Sequence, residues 1–120
     1  MLALMVDGDN LFRALAVREP AAIERFLQRL EMKAVDRDWE VTVVFDGPSR
    51  FLPRETGPLV IRYATGKSAD TLIERLVYQA TDRGQVVVVT QDRAEANLVL
   101  GLGARVWSAQ RLMEELSRQV

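Results

Sequence analysis

The sequence predicts an α/β fold: a three-layer α/β/α sandwich around a central, mainly parallel sheet of about five strands. Three observations predict it. Five short apolar runs recur along the chain, amphipathic stretches at helical spacing separate most of them, and the runs are continuously apolar rather than alternating. Continuous apolarity marks strands buried on both faces, as in a parallel sheet covered by helices. With 120 residues, 48% of them hydrophobic, the chain is long enough for one core and is read as one domain over residues 1–120.

Taken in order, residues 2–6 form the first strand, and Asp7 ends its apolar run. A helix follows in which Ile23, Phe26, Leu27 and Leu30 share a face opposite Glu24, Arg25, Gln28 and Arg29. Pro20 fits an early position of that helix, where a missing N–H costs nothing. Residues 41–45 give a second strand and Leu59–Tyr63 a weaker third. Between them residues 47–57, with Pro48, Pro53 and Gly57, read as a loop. The clearest helical stripe is Ala69, Leu72, Ile73, Leu76, Val77 and Ala80, with Ser68 as N-cap and Gly84 past its end. Val86–Val89 is a fourth strand, residues 94–100 a helix, residues 104–107 a weak fifth strand, and residues 109–118 a last helix capped by Ser108. The order β-α-β-β-α-β-α-β-α, with right-handed crossovers, gives the three layers.

Composition narrows the chemistry. Sixteen Lys and Arg against seventeen Asp and Glu leave a formal charge of −1, so no polybasic tract advertises nucleic acid or membrane. The chain has no Cys and no His. Thiol nucleophiles, Ser-His-Asp triads, zinc fingers and imidazole-bound metals are thereby excluded. What remains is chemistry run on carboxylates, Lys, Arg, hydroxyls or a hard metal held by oxygen. The first apolar run lacks a basic flank and is too short for a leader or a membrane span, so a cytoplasmic protein with no membrane association is expected.

Three strands end alike. Leu4-Met-Val-Asp7, Val43-Val-Phe-Asp46 and Val88-Val-Thr-Gln-Asp92 each put an Asp at or just past a strand's carboxyl end, the edge where open α/β sheets bind ligands. Asp70, in the first turn of the clearest helix, joins them if that helix starts on the same edge. Each acid alone has a structural explanation. Asp70 suits a helix dipole, Asp92 can cap a helix, and Asp46-Gly47 is a common turn pair. Asp7-Gly-Asp-Asn10 is harder to explain that way. Four converging carboxylates repel one another, and Mg²⁺ or Mn²⁺ offsets the repulsion.

Basic residues cluster between 47 and 68, where Arg50, Arg54, Arg62 and Lys67 face only Glu55. Arg13 and Arg93 follow Asp7 and Asp92 closely. Together with Ser68, the side chains of Arg13, Arg50, Lys67 and Arg93 are the candidates to contact a phosphodiester substrate; a solvated loop explains the 47–68 charges equally well, and Phe51 there reads as a local core contact. Other motifs match weakly. Gly66-Lys67-Ser68 resembles the end of a P-loop, but the first glycine would fall at Ile61. Asp7-Gly-Asp9 resembles a phosphatase motif with a nucleophilic first Asp, with Thr90 as its hydroxyl, but lacks a later acidic pair. A phosphoacceptor receiver domain would want adjacent acids after the first strand and a Lys after the last, where Arg105 is the only basic residue.

In combination, these stretches resemble the NYN domains of the PIN-like nuclease superfamily, and most closely the YacP-like branch. The matching segments are Val6-Asp-Gly-Asp-Asn10, Val44-Phe-Asp46, Gly66-Lys-Ser-Ala-Asp70 with Ile73-Glu-Arg-Leu76, Val89-Thr-Gln-Asp-Arg-Ala-Glu95, and Gly101-Leu-Gly-Ala104 with Ser108-Ala109. They fall in order over most of the chain, and the last is the most branch-specific. The resemblance implies a Mg²⁺- or Mn²⁺-dependent endoribonuclease with Asp7, Asp70 and Asp92 as metal-binding acids and Asp46 as a fourth pocket acid, acting directly or through water. It also implies that Asn10 and Thr90 orient ligands and water. RNA, on or near a ribosome, is the implied partner, with monomer and homodimer both open. The chain departs from the pattern at Asp9, at Gln91 and in the short region between Phe45 and Leu59. A non-catalytic RNA- or ribosome-binding module and an Asp7-nucleophile phosphatase are the other readings open to these residues.

Overall fold

Parallel strands need crossovers that return to the same sheet end, and the helices making them must bury an apolar stripe. The computed structural model describes residues 1–46 and 54–118 and builds this arrangement from ten elements and a 3₁₀ turn. The first half comprises β1 (Ala3–Asp7), α1 (Gly8–Ala14), α2 (Pro20–Arg37), β2 (Glu40–Phe45) and β3 (Leu59–Tyr63). The second half comprises α3 (Ala69–Gln79), β4 (Val86–Val89), α4 (Arg93–Gly101), β5 (Arg105–Trp107) and α5 (Ala109–Ser117). The sheet order is β3-β2-β1-β4-β5 and every pairing is parallel. Val6 lies opposite Val43 on one side and Val89 on the other. Asp7, Asp46 and residues 90–92 therefore leave the sheet at one edge.

Strand alternation divides the core into two layers. Leu4, Val6, Val43, Phe45, Val87 and Val89 face α1, α2 and α5, meeting Phe12, Leu27, Leu30 and Leu112. Val44, Val86 and Val88 face α3 and α4, meeting Ile73, Val77 and Val99. Each valine of Val86–Val89 is 1% exposed or less, which is why that run shows no polar alternation. Burying each such side chain contributes roughly 1.5–3 kcal/mol before entropy is counted. Among the described residues no helix is long and apolar enough to cross a membrane.

The structure departs from the sequence expectation in its helices. No apolar stripe predicts α1, which begins on Gly8 and buries only Leu11 and Phe12 beside it. The second helix is longer than its stripe, with Pro20 at its first position and Glu19 as N-cap. Helix α3 stops at Gln79 because Ala80 turns extended, so Gly84 belongs to the 3₁₀ turn Arg83–Gln85 rather than to that helix's cap. Of the expected 47–57 loop, Gly47, Pro48, Arg50, Phe51 and Pro53 lie outside the described residues. Arg54 pairs antiparallel with Ile61 through both backbone hydrogen bonds.

Gly8 is set by close packing. A Cβ there would lie 2.6 Å from Phe45 Cε1, and Phe45 is fully buried. Its ring stacks between Phe12 (5.4 Å from Phe26, 6.2 Å from Phe45) and Tyr63 at 5.8 Å. Gly8→Ala is therefore expected to lower stability by about 1–3 kcal/mol through overpacking. Urea unfolding measures it, and an unchanged midpoint would mean that the ring stack yields without cost.

Candidate active site

The chain runs outward from β1 to β2 and β3, then returns past β1 to lay down β4 and β5. The order reverses between β1 and β4, and loops leaving such a point diverge around a crevice. Helix α1 starts directly at this point and its first turn holds the surrounding loops. Asp7 caps it, with Oδ1 accepting the Asn10 amide at 3.3 Å. Asp9 Oδ2 accepts the Asp46 amide at 2.7 Å, fixing the end of β2, and Asp46 Oδ1 accepts the Ala69 amide at 2.6 Å, fixing the start of α3. On the other side Asn10 Oδ1 accepts the Gln91 amide at 2.8 Å, and Gln91 Oε1 accepts the Ala109 amide at 2.7 Å at the start of α5. Two short relays thus run from one helical turn to the N-termini of α3 and α5.

Within this frame lies a cleft of about 210 Å³. Six carboxyl side chains line it: Asp7, Asp9, Asp46, Asp70, Asp92 and Glu95. Among the described residues Arg13 is the single basic side chain in its wall, beside Asn10 and Ser68. Asp70 is held toward its own helix, accepting from the Ser68 hydroxyl and from the Thr71 amide at 2.8 Å. Asp92 caps α4, with Oδ1 accepting the Ala94 and Glu95 amides at 2.8 and 3.1 Å. The capping role and a place in the cleft coexist, since each uses different parts of the same carboxylate.

Glu95 is the residue that sequence reasoning missed. It is 3% exposed, and neither carboxylate oxygen closes a hydrogen bond of standard geometry among the described residues. A signal was present. Asp92 and Glu95 have the spacing of a capping box, in which the Glu would reach back to the cap residue's own amide. Here Thr90 Oγ1 takes the Asp92 amide at 3.0 Å. The Glu95 carboxyl is released from that duty and faces Asp7 across the cleft floor instead. Burial first, then the charges of Asp7, Asp70 and Asp92, push its pKa up to about 8. Asp7 is 8% exposed and is also raised, chiefly by burial, with the Asn10 amide pulling the other way.

The family model for the YacP-like NYN domain matches residues 4–120. This chain belongs to the YacP-like NYN domain family. The family is of nuclease type. Among solved structures, a mutant of Rae1 (YacP) from Bacillus subtilis superposes with a TM-score of 0.79 at 25% identity, over 97% of this chain and 75% of that one. The crystal structure of Rae1 (YacP) itself gives 0.76 at 24% identity, over 97% and 74%. No curated protein sequence matches the chain.

Of the residues expected in the site of this NYN domain, the cleft gathers Asp7, Asn10, Arg13, Asp46, Ser68, Asp70 and Asp92. It does not gather Thr90, Lys67 or Arg93. Thr90 is buried beneath the loop and holds the Asp92 amide, so it orients the chain rather than exposing its hydroxyl to the cleft. Lys67 and Arg93 are exposed next to residues that do line the cleft. Arg50 lies outside the described residues. Asp9 and Gln91, two of the three departures from the NYN pattern, are connecting members of the two relays. No three acidic side chains among the described residues stand as ligands around one point. The donor chemistry nonetheless fits a hard divalent cation. The paired, buried carboxyls of Asp7 and Glu95 are hard oxygen donors, and Mg²⁺ is commonly held by one or two carboxylates, its remaining positions filled by water and substrate phosphate.

Proposed function

We propose that this protein is a Mg²⁺- or Mn²⁺-dependent endoribonuclease that hydrolyses RNA phosphodiester bonds in the acidic cleft. The observation that carries this reading is the cleft itself: among the described residues, six carboxyls against one guanidinium at the switch point of a nuclease-type fold. Asp7, Asp70 and Asp92 are the residues that would hold the cation, with Asp46 beside them. When bound, such an ion supplies a lowered water pKa and charge stabilisation for the oxygens around phosphorus. The protein's own groups supply position and selectivity. Asp7 and Asp92 are mounted on helix caps, so their carboxylates have little freedom to swing. Arg13 at the rim offers a forked donor to a phosphate entering the cleft. Without a cation the carboxyls repel that phosphate, which makes the cleft selective for the loaded state.

The test is cleavage of single-stranded RNA by the wild type with Mn²⁺, with EDTA, and by Asp92→Asn with Mn²⁺. Cutting is expected only in the first case, and equal products in all three would overturn the assignment. RNA binding that persists through EDTA and through Asp92→Asn, with no cutting anywhere, would point to a non-catalytic binding module of the same fold.

A further inference from the structure

A second hollow, of about 530 Å³, lies on the outer flank of the sheet beside β3. Val44 faces α3, so Thr42, two residues earlier on β2, shares that face. The register sets Val60 beside Thr42 and Arg62 beside Val44. Helix α3 lies mainly over β1 and β2. Past its cover Thr42 and Val60 stay half-buried and Arg62 exposed, and all three line the hollow. The antiparallel pair between Arg54 and Ile61 closes the outer margin of β3 and brings Glu55 to the rim. Arg54 is neutralised by Glu31. Glu55 and Arg62 are not: among the described residues neither makes an ion pair or a side-chain hydrogen bond, although both line one hollow. An acid and a base that share a hollow without closing on each other suit a ligand with donors at one end and an anion at the other.

The hollow adjoins the acidic cleft. Thr65 lines the one and Ser68 the other. The turn between them is pinned at both ends, by the Ala64 amide on the Phe45 carbonyl at 2.9 Å and the Ala69 amide on Asp46 at 2.6 Å. Three residues span at most about 10 Å, so a strand held at the cleft reaches the hollow with a nearby nucleotide. Resting on the ribonuclease reading above, we propose that this hollow is a base-selective subsite for one guanosine of the RNA strand, its Watson–Crick edge on the Glu55 carboxylate and its phosphate on the Arg62 guanidinium. Guanine is the RNA base that offers two adjacent N–H donors along that edge, one for each acceptor oxygen of a carboxylate. Each other base places an acceptor beside its donor and so sets a repulsion against one of those oxygens. The fork of Arg62 suits phosphate and offsets the repulsion between Glu55 and the backbone. Thr42 and Val60 supply a partly apolar floor for the ring.

The experiment measures fluorescence anisotropy in EDTA with labelled single-stranded RNAs of adenosines alone, or with one guanosine or one inosine set among them. The preference is a ratio of affinities for one protein, so repulsion between the unloaded cleft and the backbone cancels. Glu55→Gln and Arg62→Gln both change exposed side chains, and far-ultraviolet circular dichroism checks that each is folded. The wild type is expected to bind the guanosine strand at least roughly tenfold more tightly than the adenosine strand, with inosine, which lacks the 2-amino donor, between them. Glu55→Gln should erase most of that preference, whereas Arg62→Gln should weaken all the strands alike, by roughly tenfold. A wild type that binds the guanosine strand no more tightly than the adenosine strand would overturn the proposal, as would a preference that survives Glu55→Gln. Free guanosine monophosphate that binds the wild type and not Glu55→Gln, with no preference among the strands, would make the hollow a free-nucleotide site and overturn its place on the RNA path. Cleavage assays with Mn²⁺ on the same samples separate the two readings. A Glu55-dependent guanosine preference with intact RNA supports the subsite and sinks the ribonuclease, whereas cutting without any guanosine preference does the reverse.

Discussion

Replacing Glu95 by glutamine should make the cation-free protein harder to unfold at pH 8, by about 2–4 kcal/mol. In the folded chain the carboxyl is held protonated up to about 8 by burial and by Asp7, Asp70 and Asp92, while in the unfolded chain it ionises near 4.5. Below the unfolded value both states carry the proton and the residue is neutral in the balance. Between the two values the unfolded state gains by releasing its proton and the folded state does not, so wild-type stability falls as pH rises through this window. Glutamine has no proton to release and can donate an N–H toward Asp7. The two proteins should therefore unfold alike near pH 4 and separate progressively toward pH 8, by about 4 °C in Tm for each kcal/mol. Thermal unfolding in EDTA across this range measures it. A wild type that is the more stable partner at pH 8 would show that the Glu95 carboxyl has found a donor.

Asp7→Asn should separate activity from stability in the opposite way to an ordinary core mutation. RNA cleavage in Mn²⁺ is expected to fall by about 100-fold or more, since a charged oxygen donor at the cleft floor becomes an amide. Stability in EDTA at neutral pH should not fall. Asn caps a helix as well as Asp does, so the bond from the Asn10 amide survives, and a carboxyl whose ionisation burial opposes is removed. Cleavage rates and unfolding midpoints on one preparation check both halves. Cleavage within a fewfold of wild type would remove Asp7 from the machinery, and a drop in midpoint would show that its charge is needed to hold α1.

Much of this was legible in the sequence because parallel strands announce themselves. Val86–Val89 and residues 41–45 are buried on both faces and so carry no polar alternation, and the acid that closes each run marks the carboxyl edge. The cleft's aspartates follow from that edge plus the start of α3. What local pattern did not carry was which partner each polar side chain meets. Helix α1 has seven residues and opens on a glycine, so it has no stripe to read; its identity comes from the Phe45 ring lying against Gly8. Asp9 and Gln91 look like departures along the chain and become connectors only when β2 and α5 stand beside α1. Glu95 sits three residues beyond a recognised acid, yet its burial depends on Thr90 taking the cap amide, a competition settled by three-dimensional geometry. That Thr90 holds the Asp92 amide beneath the loop is likewise visible only in three dimensions.

The position of β1 and β4 has a further consequence for how the molecule comes apart. Both are interior strands, hydrogen-bonded on two sides and buried against helices above and below, whereas β3 and β5 bound the sheet. Their amide protons, at residues 4–6 and 86–89, should be the last to exchange with deuterated solvent, and their opening should require the whole sheet to open. Asp7 stands at the end of one of these strands and the loop bearing Thr90 and Asp92 at the end of the other. A cation seated between them would be anchored to the slowest-opening part of the chain. Its escape by unfolding should keep time with those amides, unaffected by the fraying of β3 or β5 at the margins.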